Sequence, residues 1–185
     1  MTAFTDGVIA IIITIMVLAL PVPKGHGLSA LESLLPILGV YALSFANIAI
    51  FWVNHHHMVQ RARRVDGQVL WANNFLLFWL SLVPFVIRWI GEEGFQRVPI
   101  AAYGMTLTMA ALGYTWLEYA LINADGEESR VKAAVGTDIK GHASLLLYVV
   151  SILAALFISP MVAVAIYILI ALLWFIPDQR YERVE

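Results

Sequence analysis

The stretch FTDGVIAIIITIMVL, residues 4–18, joins a short polar motif to an almost entirely apolar run. Five further apolar segments follow it along the chain. Of the 185 residues, 61% are hydrophobic and 13% are charged, with a mean hydropathy of +0.82. Soluble domains are roughly 45–50% apolar and about one quarter charged. Because a bilayer tolerates apolar surface that water does not, the sequence predicts an all-α integral membrane protein.

Six segments are long and apolar enough to be transmembrane helices. A crossing needs roughly 20 residues, and a single helix over 145–176 would be about 48 Å long, so a tight hairpin is predicted at Ser159 and Pro160. The polar connectors are too short for another domain, so residues 1–185 are predicted to form a single six-helix transmembrane domain. The predicted helices are 3–22, 33–60, 67–90, 97–123, 141–158 and 160–178.

Basic residues are distributed unequally between the connectors. Cytoplasmic loops of membrane proteins carry the excess of lysine and arginine. Lys24 and Arg97 lie in the connectors on one side of the membrane. The larger groups follow the second, fourth and sixth segments: Arg61, Arg63, Arg64, Arg130, Lys132, Lys140, Arg180 and Arg183. Both termini are therefore predicted to be cytoplasmic, in agreement with an even number of helices.

Charge and composition exclude several classes of partner. The net charge of −2 provides no general basic field for nucleic acid. The absence of cysteine removes disulfides, thiolate zinc sites and cysteine nucleophiles. Three adjacent histidines, His55 to His57, cannot all face one metal from a helix, because neighbouring positions point about 100° apart. We therefore expect no nucleic-acid partner, no metal and no cofactor.

Four residues of the first helix share one helical face. Ile11, Thr14, Ile15 and Leu18 follow the spacing i, i+3, i+4 and i+7. If several copies surrounded an axis, these side chains would form apolar rings that gate ions by dewetting, with a threonine oxygen between them. Periodicity alone favours an ordinary lipid-facing or packed helix, because almost every residue here is apolar.

Polar residues at one predicted depth could join neighbouring helices. Asp6, His55 and Asn73 lie toward the same end of the first three helices, and polar groups at membrane depth usually find partners inside the protein. Glu118, late in the fourth helix, is predicted to be a solvated carboxylate near a loop rather than a proton-sensitive group.

Three stretches resemble the transmembrane protein 175 family, in its bacterial branch. The first is the most specific, because the family has a Phe-Ser-Asp motif at the start of helix one, and Thr5 keeps the serine's hydroxyl. The family's arginine, four positions before the phenylalanine, would precede Met1. The stretches are residues 4–11 with Thr14, Phe51-Trp52-Val53-Asn54-His55-His56, and Leu70-Trp71-Ala72-Asn73 with Pro84-Phe85.

The resemblance implies a subunit of a moderately potassium-selective cation channel in a prokaryotic cell membrane. Its partners would be membrane lipid, potassium ions and further copies, in a homotetramer with helix one lining a central pore. The family's main hydrophobic constriction falls on Ile11, with Ile15 and Leu18 also lining the pore and Thr14 as its filter-like threonine. The implied polar cluster that braces helix one comprises Thr5, Asp6, His55, Asn73 and Trp71.

Other functions stay open at this point. No Thr-Val-Gly-Tyr-Gly loop occurs, so selectivity is expected from a narrow apolar ring that removes part of the hydration shell. A secondary or proton-coupled transporter is the main alternative, although the chain lacks two paired broken helices. A metal-dependent membrane enzyme using His55 to His57 and Glu118 is less favoured, since no ligand spacing supports it, and we expect no enzymatic activity.

Overall fold

The computed structural model describes residues 1–23, 25, 27–126, 129–135 and 138–175. Within them the chain is helical almost throughout, with a 3₁₀ turn at Val17–Ala19 and a π-helical turn at Ala154–Ile158. The helices are α1 Thr2–Met16, α2 Leu28–Glu32, α3 Leu35–Arg61, α4 Gly67–Ser81, α5 Val83–Glu93, α6 Arg97–Asp125, α7 Arg130–Val135, α8 Ile139–Leu153 and α9 Pro160–Phe175.

Four stretches of the described chain are long and apolar enough to cross a membrane: Thr2–Ala19, Leu35–Arg61, Gly67–Glu93 and Ile139–Ile158. Helix α9 is apolar but shorter, and α6 is not among the four. Predictions that concern Lys24, Arg180, Arg183 and residues 176–178 lie outside the described residues.

Helix α1 ends earlier than the predicted limit at residue 22. Its α-helical part stops at Met16, and after the 3₁₀ turn Leu20 is extended, with φ −74° and ψ 135°. Leu20 precedes Pro21, and steric contact with the proline ring disfavours the helical region for the residue before it. The proline therefore determines where the first helix ends.

The predicted helix 67–90 is divided into α4 and α5 at Leu82. Pro84 has no N–H and cannot donate to the carbonyl of Leu80 in the preceding turn. Leu82 N donates instead to Trp79 O at 3.2 Å, and Val86 N donates to Leu82 O at 3.1 Å. The two helices therefore follow each other with one interrupted turn.

Helices α8 and α9 lie side by side in opposite directions. Ser159 between them is extended, with φ −157° and ψ 136°, and Pro160 is the first residue of α9. Trp174 Nε1 donates to Ser144 Oγ at 2.9 Å, while Tyr148 and Tyr167 lie with their ring centroids 6.4 Å apart. These two contacts run in opposite order along the two helices, as an antiparallel hairpin requires.

Helix α6 is the central helix of the bundle. It contacts α4, α5, α8 and α9, and 14 of its 29 residues are buried. Gly113 permits a close approach of the α4 backbone, because a Cβ there would lie 2.9 Å from the Cα of Leu76 on α4. The hydroxyls of Thr106 and Thr108 donate to carbonyls one turn earlier, at 2.9 and 2.7 Å. Small residues and internally bonded hydroxyls thus allow α6 to be enclosed.

We expect Gly113→Ala to destabilise the protein by about 1–3 kcal/mol, because the added methyl group would overlap backbone that cannot move aside. Thermal unfolding in detergent measures the loss. Gly39→Ala on α3 is the matched control, since nothing lies within 4 Å of its Cβ position. That change should be neutral or stabilising by up to about 1 kcal/mol, through helix propensity. Equal melting temperatures for the two variants would contradict the close α4–α6 contact.

Candidate functional site

Helix α1 has one buried face and one exposed face. Its buried residues are Thr5, Ile9, Ile12 and Met16, and the helix packs against α3, α4 and α5. The opposite side, which we call the α1 outer face, consists of Ile11, Thr14, Ile15 and Leu18, all of them exposed. Ile11 is 57% exposed and Leu18 is 80% exposed. The four residues grouped by spacing therefore share a surface that the described residues of the subunit leave exposed.

The hydroxyl of Thr14 is bonded within its own helix. Thr14 Oγ1 lies 2.9 Å from the carbonyl oxygen of Ala10 and 3.0 Å from that of Ile11. The hydroxyl proton is therefore donated to the backbone, and the lone pairs of the oxygen remain available on an exposed side chain. Such an oxygen can accept a hydrogen bond from water or contact a cation.

A buried hydrogen-bonded group connects α1 to α3 and α4. Asn73 Nδ2 donates to Thr5 Oγ1 at 3.0 Å, and Thr5 Oγ1 also lies 3.2 Å from Asn73 Oδ1. His55 Nε2 lies 2.8 Å from the same Oδ1. Since an amide oxygen only accepts, the proton of the imidazole is on Nε2. We call this group the Thr5–His55–Asn73 cluster; each of its residues is at most 1% exposed.

Two residues predicted for this cluster lie apart from it. The carboxylate of Asp6 accepts a hydrogen bond from Trp52 Nε1 at 2.8 Å, on the exposed side of the contact between α1 and α3. Trp71 is 70% exposed on the outer side of α4. The structure therefore brings together three of the five predicted residues and gives Asp6 a different partner.

Trp52 is the residue that the sequence reasoning missed. Its indole bonds Asp6, and its ring centroid lies 5.7 Å from that of His56. The signal was present in the motif, because Trp52 precedes His55 and His56 by three and four residues and so lies on their side of the helix.

The histidines and Glu118 do not form a metal centre in the part of the chain that the structure describes. No group of three histidine, aspartate or glutamate side chains comes together there. His56 is bonded to Gln60 at 2.7 Å, while His55 belongs to the cluster above. Glu118 is only 6% exposed, so the prediction of a solvated carboxylate is wrong. Leu117 and Leu121 beside it are also buried, so this side of the turn of α6 faces the inside of the bundle, whereas Tyr119 on the other side is exposed.

Comparison with known proteins identifies the family. Residues 1–84 match the family described as "Endosomal/lysosomal potassium channel TMEM175". These residues include the α1 outer face and the Thr5–His55–Asn73 cluster. A potassium channel of Chryseobacterium sp. (strain P1-3) is 47% identical over 181 residues, covering 98% of this chain and 94% of the relative. A potassium channel of Streptomyces collinus (strain DSM 40733 / Tue 365) is 33% identical over 127 residues, covering 64% of this chain and 62% of the relative.

A solved structure is similar along nearly the whole chain. The crystal structure of a lysosomal potassium-selective channel TMEM175 homolog from Chamaesiphon minutus superimposes with a TM-score of 0.82 at 28% identity. The similarity covers 96% of this chain and 95% of that chain. The resemblance found in the three sequence motifs is confirmed, and the chain belongs to the TMEM175 family.

Proposed function

We propose that this protein is the subunit of a potassium channel whose ion path is lined by the α1 outer face. The observation that carries the proposal is the division of α1 into a face packed against the bundle and a face left exposed by the part of the chain that the structure describes. The relatives named as potassium channels, and the potassium-selective channel with the same fold, support it. TMEM175 proteins are channels, and no enzymatic activity or cofactor beyond permeant potassium is proposed.

The proposed pore requires several copies of the chain. One α1 helix cannot enclose a path for ions, whereas α1 helices from symmetry-related subunits can meet around an axis. We propose a homotetramer in which each subunit contributes Ile11, Thr14, Ile15 and Leu18 to the pore wall. The exposure of this face in the single subunit supports that arrangement.

Selectivity in this proposal comes from partial dehydration at a ring of Ile11 side chains. An apolar constriction excludes bulk water, so an ion must lose part of its hydration shell to pass. Potassium gives up water more readily than sodium, which produces a moderate preference. Thr14 is one turn further along, and its oxygen replaces some of the lost water because its proton is already donated to the backbone. Ile15 and Leu18 continue the apolar wall.

The Thr5–His55–Asn73 cluster is proposed to hold α1 in position at one end of the pore. Hydrogen bonds between helices in membranes are worth about 0.6 kcal/mol on average. Several such hydrogen bonds at the same depth in the membrane fix both the position of α1 along its axis and its rotation about that axis. Asp6 and Trp52 add a contact at the same end. A change of helix rotation would turn the outer face away from the axis.

We further propose that the subunit crosses a prokaryotic cell membrane six times, with both termini in the cytoplasm and lipid around the bundle. The six crossings are α1, α3, α4 with α5, α6, α8 with its π-helical turn, and α9. Helix α6 need not be strongly apolar, because neighbouring helices surround it and Thr106, Thr108 and Thr115 donate to its own carbonyls.

We expect Ile11→Ala to raise potassium flux from proteoliposomes several-fold, because the smaller side chain widens the constriction. Ile168→Ala is the matched control, since Ile168 is also exposed but lies on α9. Its flux should equal that of the wild type. Unchanged flux in Ile11→Ala would place the ion path elsewhere. Flux that saturates at a low rate in the wild type would indicate a transporter.

We expect Thr14→Ala to lower the preference for potassium over sodium, because the oxygen that compensates for lost water is removed. Thr14→Ser keeps the oxygen and should retain the preference. Reversal potentials with potassium on one side of a planar bilayer and sodium on the other measure both variants. A permeability ratio in Thr14→Ala equal to that of the wild type would exclude a role of this hydroxyl in selectivity.

We expect Thr5→Val to destabilise the protein by about 1–3 kcal/mol, since the buried Asn73 amide loses its partner. Thr5→Ser keeps the hydroxyl and should remain close to the wild type. Melting temperature in detergent measures stability, and flux measures the position of α1. If Thr5→Val and Thr5→Ser behaved alike in both measurements, the cluster would have no bracing function.

A further inference from the structure

A cavity of about 50 Å³ lies inside the bundle, between α3, α6, α8 and α9. Its lining therefore comes from helices other than α1, and it is separate from the α1 outer face. One water molecule needs about 10–15 Å³, so the cavity has room for a few waters or for one small organic ion. It extends from Asn47 on α3 to Asp138 at the start of α8.

Two asparagines in the lining donate to backbone carbonyls of their own helix. Asn47 Nδ2 donates to the carbonyl of Leu43 at 3.0 Å, and Asn54 Nδ2 donates to the carbonyl of Ile50 at 2.9 Å. Their side-chain oxygens accept no hydrogen bond from the residues that the structure describes. Both asparagines therefore offer the cavity an acceptor oxygen.

Other polar side chains of the lining follow the same pattern. Trp174 Nε1 donates to Ser144 Oγ at 2.9 Å, and Thr115 Oγ1 donates to the carbonyl of Ala111 at 3.1 Å. These donors are bonded within the protein, while the oxygens of Ser144 and Thr115 keep lone pairs. The lining therefore presents several acceptor oxygens to an occupant of the cavity.

Tyr148 places at this cavity a hydroxyl that bonds none of the described residues. Its side chain is 4% exposed, and it is one of three tyrosines packed together. The hydroxyl of Tyr103 accepts from Ser44 at 2.9 Å, and that of Tyr167 donates to the carbonyl of Ile100 at 3.1 Å. The Tyr148 hydroxyl bonds none of the described residues. This hydroxyl is therefore available to bond an occupant of the cavity.

Aromatic rings and a carboxylate complete the lining. Phe51, Tyr114, Tyr148 and Trp174 line the cavity together with Asp138. The faces of aromatic rings carry partial negative charge and attract cations. The Asp138 carboxylate, which also accepts from Gly141 N at the start of α8, adds a formal negative charge. Acceptor oxygens, aromatic faces and a carboxylate all favour a positively charged donor.

We propose that the cavity between α3, α6, α8 and α9 is a binding site for a protonated amine, with the Tyr148 hydroxyl and the Asn47 carbonyl among its acceptors. An ammonium group carries only donors, so it complements the acceptors of the lining, and its charge is stabilised by the aromatic rings and Asp138. The same chemistry occurs in a free small amine and in the ethanolamine headgroup of a lipid. The site does not depend on the proposed ion path.

Thermal unfolding of the full chain in detergent tests the proposal, with methylammonium chloride replacing sodium chloride at constant ionic strength. A ligand that binds only the folded protein raises the melting temperature in a saturable way. We expect such a rise for the wild type. Tyr148→Phe should require about tenfold or more methylammonium for the same rise, since one hydrogen bond to a charged donor is lost. Tyr167→Phe is the matched control and should keep the concentration dependence of the wild type.

Asp138→Asn provides a second variant, because asparagine also caps helices but carries no charge. It too should weaken the response to methylammonium. A wild-type melting temperature that does not distinguish methylammonium from sodium would overturn the proposal and leave a cavity filled by water only. An equal response in wild type and Tyr148→Phe would overturn it as well, because the amine would then bind elsewhere.

Native mass spectrometry distinguishes the two sources of the amine once methylammonium binding is found. The wild type and Tyr148→Phe are each exchanged into phosphatidylethanolamine and into phosphatidylglycerol. Retention of phosphatidylethanolamine by the wild type, with loss in Tyr148→Phe, would assign the site to the lipid headgroup. Equal retention of both lipids by both proteins would assign it to a free amine.

Discussion

The position of α1 depends on one side chain, the amide of Asn73. It provides a donor to Thr5 and an acceptor to His55 at the same level of the bundle. In an apolar interior these groups have no water to bond, so breaking the contact would leave buried polar atoms without partners. The apolar face that follows, Ile9, Ile12 and Met16, tolerates small rotations of the helix, since apolar contacts are not directional. The hydrogen bonds of this amide are directional, so they fix the rotation of α1, which the hydrophobic contacts alone do not.

The central position of α6 depends on small and polar residues rather than on an apolar face. Gly113 has no side chain at the point where α4 approaches. The helix also buries Glu118 and two threonines, Thr106 and Thr108, whose hydroxyls donate to its own carbonyls. In membranes, apolar side chains gain little by leaving lipid for another helix, so close backbone contact and internal hydrogen bonds become more important. This explains why the helix with the most neighbours is not one of the most apolar.

The apolar runs of the sequence locate the helices because their length and composition match the bilayer, and Pro21, Pro84 and Pro160 mark ends and interruptions. The interruption at Leu82 was not predicted, since the apolar run continues through it.

Spacing assigned Ile11 and Leu18 to one face of the first helix. It could not decide whether that face was covered, because Ile9 and Ile12 are equally apolar. The family motif suggested the cluster of Thr5, His55 and Asn73. It could not reveal the contact of Asp6 with Trp52, which depends on how far α1 and α3 are shifted along each other.

The composition of α6 has a consequence for biogenesis. A helix that contains Glu118, several threonines and two buried glycines gains little by leaving the translocon for lipid by itself, because acidic and small polar residues make insertion less favourable. Its main neighbour, α4, is synthesised before it, whereas α8 and α9 emerge later. We therefore expect α6 to enter the bilayer against the already inserted α4, so that membrane integration and tertiary packing of this segment occur as one event during translation.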